Sequence, residues 1–213
     1  MPTPPSLIEQ QVHDALDLRA EVVGVEFKES QPLDVLKYKL TKATMAMANT
    51  RDGGLIIIGV GQREDGPFTL DGVDEATRDT YDHETIYDFV NDYASPAIEL
   101  LLLHITHAQK HFVAIAVAPS ERSPVICRRS TPDNSGLRSP DQMHTCEIYV
   151  RTGAPVASKR ASSAAMLEDL LQAAAARRAA EMIRVMRAAG AFEEIPQRPN
   201  RFDQEIGDLA DFF

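Results

Sequence analysis

The stretch that most constrains this 213-residue chain is Gly53-Gly54-Leu55-Ile56-Ile57-Ile58-Gly59-Val60. A short strand with no polar face belongs in the middle of a sheet that is covered on both sides. Arg51-Asp52-Gly53-Gly54 is the turn that feeds it, since paired glycines permit positive φ and close backbone approach. The rest of the chain therefore has to supply neighbouring strands and two covering layers.

Helix-like and strand-like periods alternate around that strand. Ser6–Leu18 carries Leu7, Ile8, Val12, Ala15 and Leu16 near a 3.6 period, which predicts a short amphipathic helix. Val23–Lys28 reads as a strand. Gln31-Pro32 opens a helix to Asn49, with an apolar stripe of Leu33, Leu36, Leu40, Ala43 and Met47. A helix is expected over Asp74–Tyr93, ended by Ser95-Pro96. Glu99–His107 and His111–Ala118 read as a hairpin across Ala108-Gln109-Lys110, and Val125–Cys127 as a further short strand. Arg128–Thr145, rich in Ser, Pro, Asp, Asn and Gly, reads as a long mobile loop, after which Glu147–Arg151 resumes the sheet. Ser162 or Ser163 caps a long Ala-rich helix that ends near Gly190. After the first helix the order is β-α-β-α-β-β-β-β-α, which predicts an α/β or α+β fold, a mixed sheet flanked by helices. The expected segments are an N-terminal helix (1–19), the main domain (20–172), a helical extension (173–190) and an acidic tail (191–213).

Composition removes several classes. No apolar run approaches the roughly 20 residues of a membrane span, and Ala97–Leu103 is broken by Glu99. Met-Pro-Thr-Pro-Pro has neither a basic nor an apolar leader region, so a cytoplasmic protein without a membrane partner is expected. Two cysteines, Cys127 and Cys146, make no disulfide framework and are expected to stay reduced. The formal charge of −10 is unevenly placed. Gln62–Pro96 holds ten acids against two bases and Ala191–Phe213 six against two, so the remainder carries about +2. A slightly basic body leaves room for a phosphate-binding groove.

Three local features carry chemistry. Glu26 and Lys28 are two apart on a strand and share a face, with Phe27 turned the other way and Glu21 nearby. Carboxylates beside an ammonium outline a metal-dependent phosphodiester site, or a salt-bridged strand edge. Asn49-Thr50 leads into the glycine pair, whose N–H groups could meet a phosphate or could simply shape a tight turn. Tyr149-Val150-Arg151-Thr152-Gly153, followed by Lys159-Arg160 before the last helix, makes an anion site or a solvated loop.

In this order, E-x4-E-F-K-E-S from Glu21, A-N-T leading to Gly53-Gly54 and the apolar strand, and the late Y-V-R-x-G resemble the Schlafen AlbA-type domain family, over about Glu21–Leu171. Bacterial stand-alone members are often labelled divergent ATP-binding proteins. The resemblance implies an α/β domain that binds nucleic acid and, in the RNase-active members, Mg²⁺- or Mn²⁺-dependent cleavage of tRNA or rRNA by three acids. Carried over by position, Glu21, Glu26 and Lys28 would be catalytic. The metal would be held by Glu21, Glu26, Gln62 and Asp65, with Gln62 standing where the family has aspartate and Asp65 (or Glu64) reaching back to replace it. Lys37, Lys42, Asn49, Thr50, Gly53, Gly54, Arg151, Lys159 and Arg160 would meet nucleic acid, RNA before DNA. The loss of the third acid keeps a second function in view, a non-catalytic DNA- or RNA-binding regulator or a subunit of a defence or repair complex. Because Schlafens clamp their substrate with two lobes and this chain has one, a homodimer is expected. No G-x4-G-K-[ST] occurs, so ATP is not expected as a ligand.

His104, His107 and His111 read as ordinary hairpin histidines, since residues three apart on a strand face opposite sides. The tail from Phe202 to Phe213 alternates acids with apolar residues. It is read as a solubilising tail, a mimic competing for the basic groove, or a docking peptide for a protein partner.

Overall fold

The structure is a computed structural model that describes residues 5–62, 67–121, 124–153 and 156–190. The chain divides into two compact units, 1–175 and 176–213. In the second, the described residues comprise the C-terminal part of one helix and its end at Gly190. Among the described residues no helix is long and apolar enough to cross a membrane.

The first unit begins with helix α1 (Pro5–Leu18), strand β1 (Val25–Lys28), helix α2 (Leu33–Ala48) and strand β2 (Gly54–Ile58). A small hairpin, β3 (Val60–Gln62) with β4 (Phe68–Leu70), precedes helices α3 (Glu75–Arg78) and α4 (His83–Tyr93). Then come β5 (Ala94–Ser95), β6 (Leu100–His107), β7 (Lys110–Val117), β8 (Ile126–Cys127), β9 (Tyr149–Gly153), β10 (Val156–Arg160) and helix α5 (Ala164–Ala188). The main sheet has the order β1-β2-β7-β6. β1 and β2 are parallel, joined through α2, and the other pairs are antiparallel, so the sheet is mixed as expected.

The apolar strand dictates this arrangement. Ile56, Ile57 and Ile58 are fully buried. Ile56 and Ile58 join Val113, Ile115 and the inner residues of α2 and α4 in one core, and Leu55 and Ile57 join Phe27, Ile105, Phe112 and the α1 residues Val12 and Leu16 in another. Each face of the sheet is thus closed by helix, the requirement of a strand that offers no polar face.

Several boundaries differ from the sequence reading. The strand expected to run through Val60 breaks at Gly59, where φ is 107° and a Cβ would lie 3.0 Å from both the Gly72 backbone and the Phe112 ring. Val60 therefore starts a separate hairpin. The helix expected over Asp74–Tyr93 is two helices, because Asp74 and Asp82 each cap a new N-terminus by accepting from Thr77 N–H and Thr85 N–H. The break frees Thr80 to accept from Leu33 N–H at 3.0 Å and Tyr81 to donate to the Gln31 carbonyl at 2.5 Å, which ties this region to the start of α2. Arg128–Thr145 contains two 3₁₀ turns, Asp133–Ser135 and Ser139–Asp141. Its base is clasped by Thr131 and the fully buried Met143, which exchange backbone and hydroxyl hydrogen bonds. The segment read as a loop after Arg151 is β10, paired with β9 so that Ser158 faces Arg151. Ser163 caps α5, its hydroxyl accepting from Met166 N–H. Cys127 and Cys146 are both free thiols and adjacent across a backbone hydrogen bond of 2.7 Å.

Candidate nucleic-acid interface

β1 is an edge strand, and its alternation sends Phe27 into the α1-side core and Glu26 and Lys28 to the opposite face. Glu26 is buried, and both of its oxygens are engaged. Oε1 is ion-paired with Lys28, and Oε2 accepts from Arg151 Nη1 at 2.6 Å. The Arg151 side chain is only 1% exposed. Its Nε and Nη2 donate to the Val23 and Val25 carbonyls, each at 3.1 Å, and Nη1 also reaches Ser158 Oγ at 3.2 Å. Arginine's planar fork suits this set of acceptors. It locks the β9–β10 hairpin against the edge of the sheet.

Glu21 plays a different part, with Oε1 accepting from Phe27 N–H at 2.8 Å and so holding the entry to β1. Gln62 is exposed on β3 and lines an open polar groove with Glu29, Ser30, Gly61, Thr69 and Asp71. Glu64 and Asp65 lie outside the described residues. Among the described residues no three His, Cys, Asp or Glu side chains converge to hold a metal. As arranged, Glu26 is paired with two cations and Glu21 Oε1 accepts from a backbone N–H, so a divalent ion held by Glu21, Glu26 and Gln62 would have to displace the Lys28 and Arg151 contacts.

A second polar cluster lies between α2 and the hairpin. Lys42 is buried, donates to the Pro140 carbonyl and sits 5.1 Å from the centroid of the Tyr149 ring. Burial pulls its pKa down, opposed by the charges of Asp141, Glu147 and Glu26. Tyr149 donates to Glu147 at 2.6 Å and accepts from His144 N–H at 2.9 Å, and Arg160 Nη1 pairs with the other Glu147 oxygen at 2.9 Å. Burial works against ionisation of Glu147, but the hydrogen bonds from Tyr149 and Arg160 outweigh it and hold its pKa below the usual value. Burial, with Glu147 alongside, pushes the Tyr149 phenol up. Around this cluster the surface carries cations. Lys39 lies 3.9 Å from Asp141 and shares a shallow groove with Arg138, while Lys159 and Arg160 are exposed on β10.

The remaining candidates are placed elsewhere or within the fold. Lys37 pairs with Asp34 at 2.8 Å and sits 5.6 Å from the Phe89 ring of α4. Asn49 is buried and bridges two segments, donating to the Val125 and Tyr149 carbonyls and accepting from Val125 N–H. Thr50 Oγ1 lies 2.8 and 2.7 Å from the Met47 and Gly53 carbonyl oxygens. Gly53 has φ of 75°, and a Cβ there would be 2.1 Å from the Val117 oxygen, while one on Gly54 would be 2.9 Å from the Gly24 oxygen. These four residues join α2, the central strand and its neighbours. Sequence reasoning passed over Ser158, Glu147, Lys39 and Arg138. The first two become visible only once Lys159-Arg160 is recognised as a strand returning along Tyr149–Gly153.

No curated protein matches the chain. Among solved structures it is similar to the DIP2311 protein of Corynebacterium diphtheriae, at 17% identity and a TM-score of 0.48, with 76% of this chain and 28% of that one covered. It is also similar to the N-terminal domain of a RecG-related protein of Nitrosomonas europaea, at 16% identity and a TM-score of 0.44, with 61% and 86% covered. The chain thus spans less than a third of the Corynebacterium protein. The Schlafen, AlbA_2 family model matches residues 21–157, from Glu21 through β1, the central strand and Arg151 into β10, and the chain belongs to that family.

Proposed function

We propose that this protein binds nucleic acid, structured RNA before DNA, through the cationic layer formed by α2, the 133–141 loop and the β9–β10 hairpin, and that it acts there as a recognition module. The observation that carries this reading is the division of labour among the cations. Arg151 is fixed in the fold by Glu26, while Lys39 and Arg138 share an open groove and Lys159 and Arg160 are exposed on β10. A phosphate backbone is recognised by such displayed, sequence-independent charges, and the binding they give falls steeply with salt. Membership of the family supports the choice of ligand. A homodimer would place two such layers in one clamp, which sedimentation of the full chain tests directly.

Filter binding of the full chain to structured RNA and to single-stranded DNA at two salt concentrations is the test. Each of Lys39→Ala, Arg138→Ala and Lys159→Ala should weaken binding and lower the salt slope by roughly one phosphate contact. Binding that is absent, or that does not respond to salt, removes the proposal.

A second reading is cleavage of tRNA or other structured RNA at Glu21, Glu26 and Lys28. It is favoured by the contact between Glu26 and Lys28 on one strand face. Products that form with Mn²⁺, vanish with EDTA and vanish in Glu26→Gln would establish it. Intact RNA under conditions where the same RNA is bound leaves the recognition module alone.

A further inference from the structure

The C-terminal part of α5 carries apolar side chains that the fold leaves in water. Met182, Ile183, Val185 and Met186 are between 39% and 65% exposed. Ala179, Met182, Met186 and Ala189 follow one another at steps of three, four and three, the spacing that draws one stripe along a helix. The matching pattern stands further along the chain, in residues that lie outside the described ones. Phe202, Ile206, Leu209 and Phe213 are separated by four, three and four positions, with acids between them. We propose that residues 202–213 dock on this face of α5, apolar stripe against apolar stripe and acids beside arginines, as a second, amphipathic helical turn of the same unit.

Charge selects this occupant. From Ala176 to Gly190 there are four arginines and one glutamate, a net of +3, and from Phe202 to Phe213 four acids and no base, a net of −4. A second copy would set the positive segment against its own like, which costs free energy, whereas the acidic segment complements it. Nucleic acid would answer the arginines but offer nothing to the methionines. The placement within each stripe agrees. At 100° per residue Arg178 borders the α5 stripe on one side and Arg187 lies beyond Ile183 on the other, both exposed, while Asp203 and Glu205 border the second stripe on its two sides. The link is long enough. Residues 191–201 can span up to about 36 Å at ~3.3 Å per residue, against about 20 Å for the thirteen helical residues from 176 to 188. Gly190, with φ of 71°, ends the helix in the left-handed turn that lets the chain change direction. Docking takes apolar surface out of water without using Lys39, Arg138, Lys159 or Arg160, and it lies beyond the family match that ends at residue 157. The acidic segment is then a cover for its own helix.

Amide hydrogen exchange tests the contact on three chains: the full chain, one lacking residues 202–213, and the full-length double variant Ile206→Ser, Leu209→Ser, which leaves α5 unaltered. Amides of residues 176–190 should exchange several-fold faster in both altered chains, because the docked segment no longer holds that part of the helix closed. Amides of the central strand β2 should keep the parent rate, which shows that the main unit is intact. Arg178→Glu should speed exchange in the full chain and do so less in the shortened one, where no acid is left to lose. The protection should be the same at low and high protein concentration, since the contact lies within one chain. Equal exchange in the three chains would overturn the proposal. So would faster exchange on shortening that the Ile206→Ser, Leu209→Ser chain does not share, or an Arg178→Glu effect of the same size with and without the segment. Protection that disappears on dilution would assign the face to a second copy instead.

Discussion

Arg151 does two things that can be separated by substitution. It neutralises Glu26 in a buried setting, and its fork holds the carbonyls of Val23 and Val25. Removing one partner of a buried pair leaves an uncompensated charge and costs about 3–5 kcal/mol. Lys28 remains beside Glu26, so Arg151→Ala is expected near the lower end, measured by urea unfolding. Arg151→Lys keeps the charge but cannot reproduce the fork, so it should recover only part of that loss; full recovery would show that charge alone matters. Glu147 gives a pH-dependent counterpart. Its folded pKa lies below the ordinary glutamate value of 4.5, so its contribution is present above that value and is lost as pH falls through the folded one. The stability gap between the parent chain and Glu147→Gln should therefore be widest near neutral pH and close below about pH 4.5. A gap of constant size down to pH 3 would assign the loss to packing.

At the scale of elements, the turn into the central strand is set by how closely backbones approach. Gly53→Ala would add a Cβ at positive φ and 2.1 Å from the Val117 oxygen, so its cost should exceed the ~2 kcal/mol of a left-handed alanine alone. A thermal midpoint equal to the parent's would contradict that reading. Asp82 tests a different device, the start of α4. Asp82→Ala should destabilise and Asp82→Asn should largely restore stability, because the cap is an acceptor for Thr85 N–H before it is a charge. The repeated D-x-x-T at Asp74 and Asp82 made that helix break legible in the sequence, and the unbroken reading ignored it. What the sequence showed well was whatever depended on period: the doubly covered central strand, Glu26 and Lys28 on one face, the α2 stripe. What it hid depended on contacts between distant segments. Nothing near His107 announces that its Nδ1 lies 3.0 Å from that of His13, and nothing near Arg151 announces Ser158 until β10 is known to return beside β9. Glu21 and Asn49 were legible as residues of a motif but not as acceptors and donors to backbone, since that requires knowing which N–H and C=O groups the fold leaves unpaired.

For the whole molecule, the formal charge of −10 sets the background against which any phosphate ligand must bind. The acids concentrate in Gln62–Pro96 and in residues 191–213, and the candidate interface uses cations from α2, the 133–141 loop and β10, outside both stretches. Long-range repulsion between a negative chain and RNA is screened within about 8 Å at physiological ionic strength, whereas direct contacts persist. Removal of residues 201–213 takes away four acids and one arginine and moves the formal charge from −10 to −7. If the tail competes for the cationic layer, the truncated chain should bind structured RNA several-fold more tightly at low salt. The two chains should converge as salt rises, because contacts of the cations with the tail's carboxylates and with the RNA's phosphates are weakened together. The salt slope of the truncated chain should also be the steeper one, since cations released from the tail become available to phosphates. Equal affinities at low salt, measured on the two chains side by side with the same RNA, would show that the tail takes no part in binding.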